Sequence, residues 1–189
     1  MTPQDRKTEI LSRKCGPCYA CCTYLGISEL KKFPGQNCKH LDGSLGAETR
    51  CSIYEDRPTA CQTYKCGWLQ GLGNPQDRPN QSGLLVTPYH PNQPDSGTMS
   101  ATIIITDKSK CGTINDPTTP LCRVLQDLIM IHCNDIRILS YDHDDLIHIL
   151  NGNIYRGKRL KTPNHEELKF MTFNPPIGKY HLQDKDPNQ

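Results

Sequence analysis

Apolar positions are distributed unequally along the chain. From Leu84 onward they recur with the periods of regular elements. The stretch TMSATIIIT, Thr98 to Thr106, is short and rich in β-branched residues, and it predicts a strand. TTPLCRVLQDLIMIHC predicts a helix. Thr119 stands as its N-cap, Pro120 takes the first helical position, and Leu121, Val124, Leu125, Leu128, Ile129 and His132 return at helical spacing. IRILSY, Ile136 to Tyr141, predicts a second strand. DDLIHIL suits a short helix or a strand, and GNIYRG a turn followed by a short strand. Residues 84–181 therefore read as a small α+β region. The chain after Pro175 is expected to be loose, with residues 182–189 a flexible tail.

Upstream of Leu84 the pattern thins out. SELKKF, Ser28 to Phe33, can make one or two helical turns. RCSIY, Arg50 to Tyr54, is a short extended piece. In RPTACQTYKC, Pro58 is placed to begin a helix, with Cys61 one turn in. GLGNPQDRPNQSG, Gly71 to Gly83, has the composition of a linker or long loop. No internal repeat is present. The expected organisation is a module over residues 1–70, a connection over 71–83, and the α+β region behind it.

Composition changes the picture. Of 189 residues only 35% are hydrophobic, the mean hydropathy is −0.64, and three Phe and one Trp are available for a core. Something besides apolar burial must help hold the first module. Eleven cysteines are the candidates, and eight of them lie within residues 15–66: Cys15, Cys18, Cys21, Cys22, Cys38, Cys51, Cys61 and Cys66. Cys111, Cys122 and Cys133 are isolated. Met1 to Lys14 is polar and charged and carries no secretory leader. No run of about 18 apolar residues predicts a membrane span. A cytoplasmic chain is expected, and there clustered thiols serve as metal ligands or catalytic groups sooner than as disulfides. A formal charge of +2 points to neither a nucleic-acid binder nor an acidic-substrate binder.

CGPCYACC, residues 15–22, opens like a thioredoxin dithiol, but its lead-in TEILSRK is too polar for a buried strand. Two further cysteines and Gly26 follow where a long helix should run. A metal knuckle fits better. Cysteines two residues apart can turn both sulfurs to one ion, with Gly16 allowing the turn and Pro17 stiffening it. Zinc takes four thiolates in a tetrahedron, and a [4Fe–4S] cluster also takes four. Cys15, Cys18 and Cys21 match the first three ligands of a bacterial ferredoxin run, but Cys22 follows at once where three residues should intervene. Cys15, Cys18 and Cys22 give the radical-SAM spacing in reverse order. Adjacent Cys21 and Cys22 point in different directions, so they serve two centres or one of them is structural. Eight cysteines divide into two sets of four, and spacing alone leaves the sets open.

These motifs together resemble the CxxCxxCC family of zinc- or iron-chelating cysteine-cluster proteins. The leading motif is Cys15, Cys18, Cys21 and Cys22. The second signature is CSIYEDRPTAC, with Cys51, Ile53, Tyr54, Arg57, Pro58 and Cys61, and Cys38 matches the cysteine between them. Gln62 stands where relatives often carry Arg. The resemblance spans about residues 15–66 and implies chelated zinc or iron, for which the four-thiolate spacing leaves a [4Fe–4S] cluster open. One branch is similar to flagellin lysine N-methylases, which implies an alternative, an iron–sulfur-dependent protein-modifying enzyme. No glycine-rich cofactor loop supports methyl transfer. A zinc-ribbon-like interaction module, with a protein partner, is the second alternative. No catalytic residue is assigned.

Other residues have plainer readings. Arg57 is either a surface charge or a donor to thiolate sulfur. Tyr54 is read as packing. His40 is read as solvated, with ligation as the alternative. His143 and His148 with Asp142, Asp144 and Asp145 could hold a second metal but read as a polar loop. Cys122 and Cys133, placed on one helix, would sit about 16 Å apart and pack in the core. RGKRLK, Arg156 to Lys161, reads as a solvated face, and nucleic acid is not an expected partner.

Overall fold

The computed structural model describes residues 3–44, 50–89, 99–140, 145–160, 169–170 and 178–179. In chain order the elements are α1 (Pro3–Ser12), α2 (Ala20–Tyr24), a 3₁₀ turn (Ser28–Leu30), α3 (Thr59–Thr63) and α4 (Pro79–Ser82). Then come β1 (Leu84–Tyr89), β2 (Met99–Ile105), α5 (Lys108–Cys111), α6 (Pro120–Met130), β3 (Cys133–Ser140), β4 (Asp145–Leu150) and β5 (Asn153–Leu160). Two-residue strands β6 (Lys169–Phe170) and β7 (Gly178–Lys179) complete the set. The class is α+β.

Five strands form a mixed sheet in the order β1-β2-β3-β4-β5, and β6 and β7 both pair with β5. The pairs β1–β2, β3–β4 and β4–β5 are antiparallel, whereas β2–β3 is parallel. A parallel pair needs a crossover, and α5 and α6 supply it. DDLIHIL resolves as a strand because it joins β5 through a two-residue turn. Asn151 and Gly152 both hold positive φ there, the geometry of a tight hairpin.

Strand alternation gives the sheet two covered faces. On one, Leu84, Val86, Ala101, Ile103, Ile136, Ile138 and Ile149 pack against Leu121, Val124, Leu125 and Leu128 of α6. This is the apolar stripe read from the sequence. On the other, Leu85, Ile104, Leu139 and Leu146 pack against Ala20, Cys66 and Trp68. The cysteine-rich segment is thus a layer of the fold, seated on the sheet face opposite α6.

Residues 71–83 are closely packed and carry α4. The Arg13 guanidinium at the end of α1 donates to the carbonyls of Trp68 (2.6 Å), Leu72 (3.1 Å) and Gly73 (3.1 Å). Asp127 of α6 accepts the Gly73 N–H at 2.7 Å. Asp77 accepts a two-pronged bond from Arg123 at 2.7 and 3.1 Å. Gly83 ends α4 at φ +71°, and a Cβ there would lie 2.3 Å from the Asp107 carbonyl oxygen. Gly83→Ala should therefore cost about 1–3 kcal/mol or more, read as a lower denaturation midpoint. An unchanged midpoint would contradict this packing.

Some expectations need correction. Cys122 and Cys133 do not share a helix. Their periodic pattern stops at Met130, His132 takes a left-handed φ of 60°, and Cys133 begins β3. Both are buried, as a core role requires. Thr119 is the N-cap by position, but its hydroxyl donates back to the carbonyls of Thr113 and Asp116 and leaves the helix uncapped. Residues 182–189, Tyr141 and Lys161 lie outside the described residues. Among the described residues no helix is long and apolar enough to cross a membrane.

Candidate metal centre

Short local structures place the cysteines. The Cys18 N–H donates to the Cys15 carbonyl (3.1 Å) across Gly16, whose φ is +51°, so CGPC is a tight turn. Helix α2 starts two residues later. Successive helical positions diverge by about 100°, so Cys21 and Cys22 leave the helix in different directions. Ala20 meets the sheet. The Cys38 N–H donates to the Cys22 carbonyl at 2.8 Å. An antiparallel bridge joins Leu41 to Cys51, and the Leu41 N–H donates to the Cys38 carbonyl at 3.0 Å. Cys22, Cys38 and Cys51 are thus tied by backbone. Cys61 sits in α3, whose start at Pro58 brings its N–H onto the Pro58 carbonyl at 2.8 Å. Cys66, near the end of the segment, is buried beside Cys18 and Trp68 on the sheet.

All eleven cysteines are free thiols. The thioredoxin arrangement is missing as well, since CGPC lies between α1 and a five-residue helix instead of following a buried strand. As the side chains stand, no three Cys, His, Asp or Glu residues among the described ones form a ready-made cage for an ion.

The thiols nevertheless feel one another, and Cys22 acts on Cys15 and Cys18 as well as on Cys51 and Cys61. Burial pushes Cys66 up to about 11, and the charges of Cys15 and Cys18 add to it. Burial also raises Cys15 and Cys18, the first with Cys18 as its strongest charged neighbour. Backbone N–H groups of Ala20 and Asn80 donate toward the Cys18 sulfur and oppose the rise. Burial raises Cys51 and Cys61 too, and Cys22 and Cys38 act on both. The Cys21 S–H donates to Cys22. That bond raises Cys21 strongly and lowers Cys22 to about 7, with Lys32 and Arg57 assisting the latter.

Cations and donors ring these sulfurs. Lys32 is buried, and its ammonium donates to the carbonyls of Thr23 (3.1 Å), Leu25 and Phe33 (3.4 Å). Burial lowers its pKa, against the pull of Cys38, Cys22, Cys21 and Cys61. Arg57 stacks on the Tyr54 ring at 3.7 Å and donates to the Tyr54 carbonyl (2.6 Å), within the field of Cys15, Cys22, Cys51 and Cys61. Tyr54 thus packs against Arg57 and holds it in place. Arg78 lies over Trp68 at 5.2 Å and acts on Cys15 and Cys18. None of these three cations has a carboxylate partner among the described residues. The buried Arg78 Nε and Tyr64 Oη find no hydrogen-bond acceptor there either. Burial raises the Tyr64 hydroxyl strongly, and the thiols acting on it are Cys66, Cys21, Cys15 and Cys18.

Lys32, Tyr64 and Arg78 were not singled out by the sequence. Lys32 and Tyr64 lie within the cysteine-rich stretch, Tyr64 two residues before Cys66, whereas Arg78 lies beyond it and carries no local signal. His40 is half-buried and offers its carbonyl to Ser52 at 2.9 Å. His148 pairs across the sheet with Asp135 at 2.7 Å. Asp142, His143 and Asp144 lie outside the described residues, as does the Asp145 side chain. Arg156 is exposed on β5. No protein-family model matches the chain, and no curated protein or solved structure matches it.

Proposed function

We propose that this is a cytoplasmic metal-binding protein whose eight N-terminal cysteines hold zinc or an iron–sulfur cluster. The supporting observation is electrostatic. Lys32, Arg57 and Arg78 act on the cysteines without a carboxylate partner among the described residues, and the buried Tyr64 hydroxyl, which has no hydrogen-bond partner there, lies in the field of four of the same thiols. Buried charges and donors require partners. Metal-bound thiolates would supply the missing anions and acceptors, and Cys, Lys and Arg would form one neutralised network. Metal binding to such a set of thiols would couple to folding. The motif resemblance to the CxxCxxCC family points the same way.

The test is anaerobic purification of the full chain followed by elemental analysis and a visible spectrum. Zinc in a colourless preparation supports a closed thiolate site. Iron and sulfide with absorption near 400 nm support the cluster form and keep the modifying-enzyme alternative in play. A chain that holds neither, and takes up neither when reduced, overturns the reading.

Affinity should depend steeply on pH. Burial raises the thiols of Cys15, Cys18, Cys51, Cys61 and Cys66 above the ordinary thiol value, whereas Cys22 is lowered to about 7. Each ion must displace their protons, so binding tightens as pH rises, by about tenfold per pH unit for each proton released. Competition titrations between pH 6 and 7.5 should show the zinc dissociation constant falling by several orders of magnitude. A flat profile would mean that the thiols are not the ligands.

A further inference from the structure

We infer that Arg13 is the positioning residue of the cysteine-rich segment: its guanidinium clasps the two ends of that segment together and so sets how readily the segment takes up a metal ion. The closure stands on hydrogen bonds, and only its effect on loading rests on the metal reading. Arg13 lies two residues before Cys15, and Trp68 two residues after Cys66. A planar guanidinium carries five N–H donors in a fixed fork. Arg13 uses all five. Nε and one Nη2 hydrogen go to the Glu9 carboxylate, at 2.7 and 3.0 Å. Nη1 donates to the Trp68 and Leu72 carbonyls, at 2.6 and 3.1 Å, and the other Nη2 hydrogen goes to the Gly73 carbonyl at 3.1 Å. The side chain is 3% exposed, and Glu9, one turn earlier, balances its charge.

Further contacts seat the clasp. Ile10 of α1 lies on Gly71, which holds φ +102° and where a Cβ would come within 2.7 Å of the Ile10 side chain. Asp127 of α6 accepts the Gly73 N–H at 2.7 Å. The Trp68 ring lies 5.2 Å from the Arg13 guanidinium and packs with Cys66 and Cys18 on the sheet. Residues 14–67, which carry all eight clustered cysteines, thus form a loop whose ends meet at one buried cation. Bringing the ends of a long loop together costs entropy, and a clasp formed beforehand removes that cost from the binding step. Lysine is no substitute. Its ammonium has three donors and no fork, against five acceptor atoms set for the fork.

The experiment compares the reduced, metal-free full chain with its Arg13→Lys variant. Hydrogen exchange is the first readout. In the wild type the amides of Gly71, Leu72 and Gly73, which donate to Trp68, Gly67 and Asp127, should stay protected without metal. Free exchange at these amides overturns the clasp with no variant needed. In Arg13→Lys they should exchange about tenfold faster, the worth of one hydrogen bond to a charged group, while amides of β2 and β3 are unchanged. Equal exchange in both chains overturns the clasp. Lost protection throughout the sheet overturns it too, by making Arg13 a general stabiliser. Zinc(II) uptake from a chromophoric chelator, without oxygen, is the second readout. A tenfold smaller closed fraction should slow uptake and weaken binding about tenfold and leave the release rate unchanged, because the loaded chain is closed in both proteins. Faster release at unchanged uptake would overturn the inference. Arg6→Gln, which removes an exposed charge from the same helix, should load like the wild type. Equally slow uptake there would assign the effect to charge and overturn the clasp. A wild type that takes up no zinc overturns the metal reading, and the exchange comparison alone then decides the clasp.

Discussion

On the proposed metal-binding reading, chelation of the full chain should unfold residues 15–66 while β1 to β4 remain protected. Among the described residues of that segment the regular elements are two five-residue helices and one 3₁₀ turn, far too short to persist alone. Their own apolar contribution to the core is small, with Ala20 and Cys66 the buried members that touch the sheet. A structural zinc site supplies about 10–16 kcal/mol of folding free energy, as much as a whole domain's usual stability. Removing it leaves nothing of comparable size. Hydrogen exchange read by mass spectrometry is the measurement. Amides such as those of Leu25 and Cys38, which donate to Cys21 and Cys22 carbonyls, should lose protection on chelation. Amides of β2 and β3 should keep it. Loss of this layer also bares Leu85, Ile104, Leu139 and Leu146, so the stripped chain should bind a hydrophobic dye. Equal protection with and without metal would sink this prediction.

The second large effect lies on the opposite face. Leu125 of α6 is 0% exposed and packs at the centre of the helix–sheet cluster. Leu125→Ala removes buried methyl groups and leaves a void that a close-packed interior cannot fully refill. The expected cost is about 2–5 kcal/mol in chemical denaturation of the metal-loaded chain. Leu11→Ala is the control. Leu11 is 77% exposed, so its loss should stay within about 0.5 kcal/mol. Because α6 and the cysteine layer cover different faces, Leu125→Ala should leave the metal content unchanged. A parallel loss of metal would mean that the two layers are energetically one unit.

The sequence is most informative where local rules decide. Helix α6 was legible because an N-cap position, a leading proline and an apolar stripe agree, and its core face is the one observed. The strands 99–105 and 133–140 were legible from β-branched runs. Their ends were less so, since nothing in HCND marks where α6 stops and β3 starts except the left-handed turn at His132. β1 was overlooked. LLVTPY is covered on both faces, with Leu84 and Val86 on one and Leu85 on the other, so it lacks the alternation of a half-buried strand. α2 is too short to show a period. Residues 71–83 looked like a linker from their Gly, Pro and Asn content, yet Asp77 and the carbonyls of Leu72 and Gly73 are anchored by Arg123 and Arg13, which are remote in sequence.

For the proposed site, the cysteine motifs supply the candidate donors, whereas spacing alone does not show which of them lie near one another. Which cysteines come near one another depends on the short helix that carries Cys21 and Cys22, on the Leu41–Cys51 bridge, and on a sheet that gathers Cys66 and Cys18. The counter-charges were equally hidden. Lys32 lies in SELKKF, which predicts only one or two helical turns, but its ammonium is drawn inward by three backbone carbonyls.

X-ray absorption at the metal edge of the anaerobically purified, full-length chain bears most directly on whether these sulfurs share a cation. The account predicts a nearest-neighbour shell of sulfur alone, at about 2.3 Å for zinc. A shell of nitrogen and oxygen, or a chain that carries no metal to measure, would contradict it.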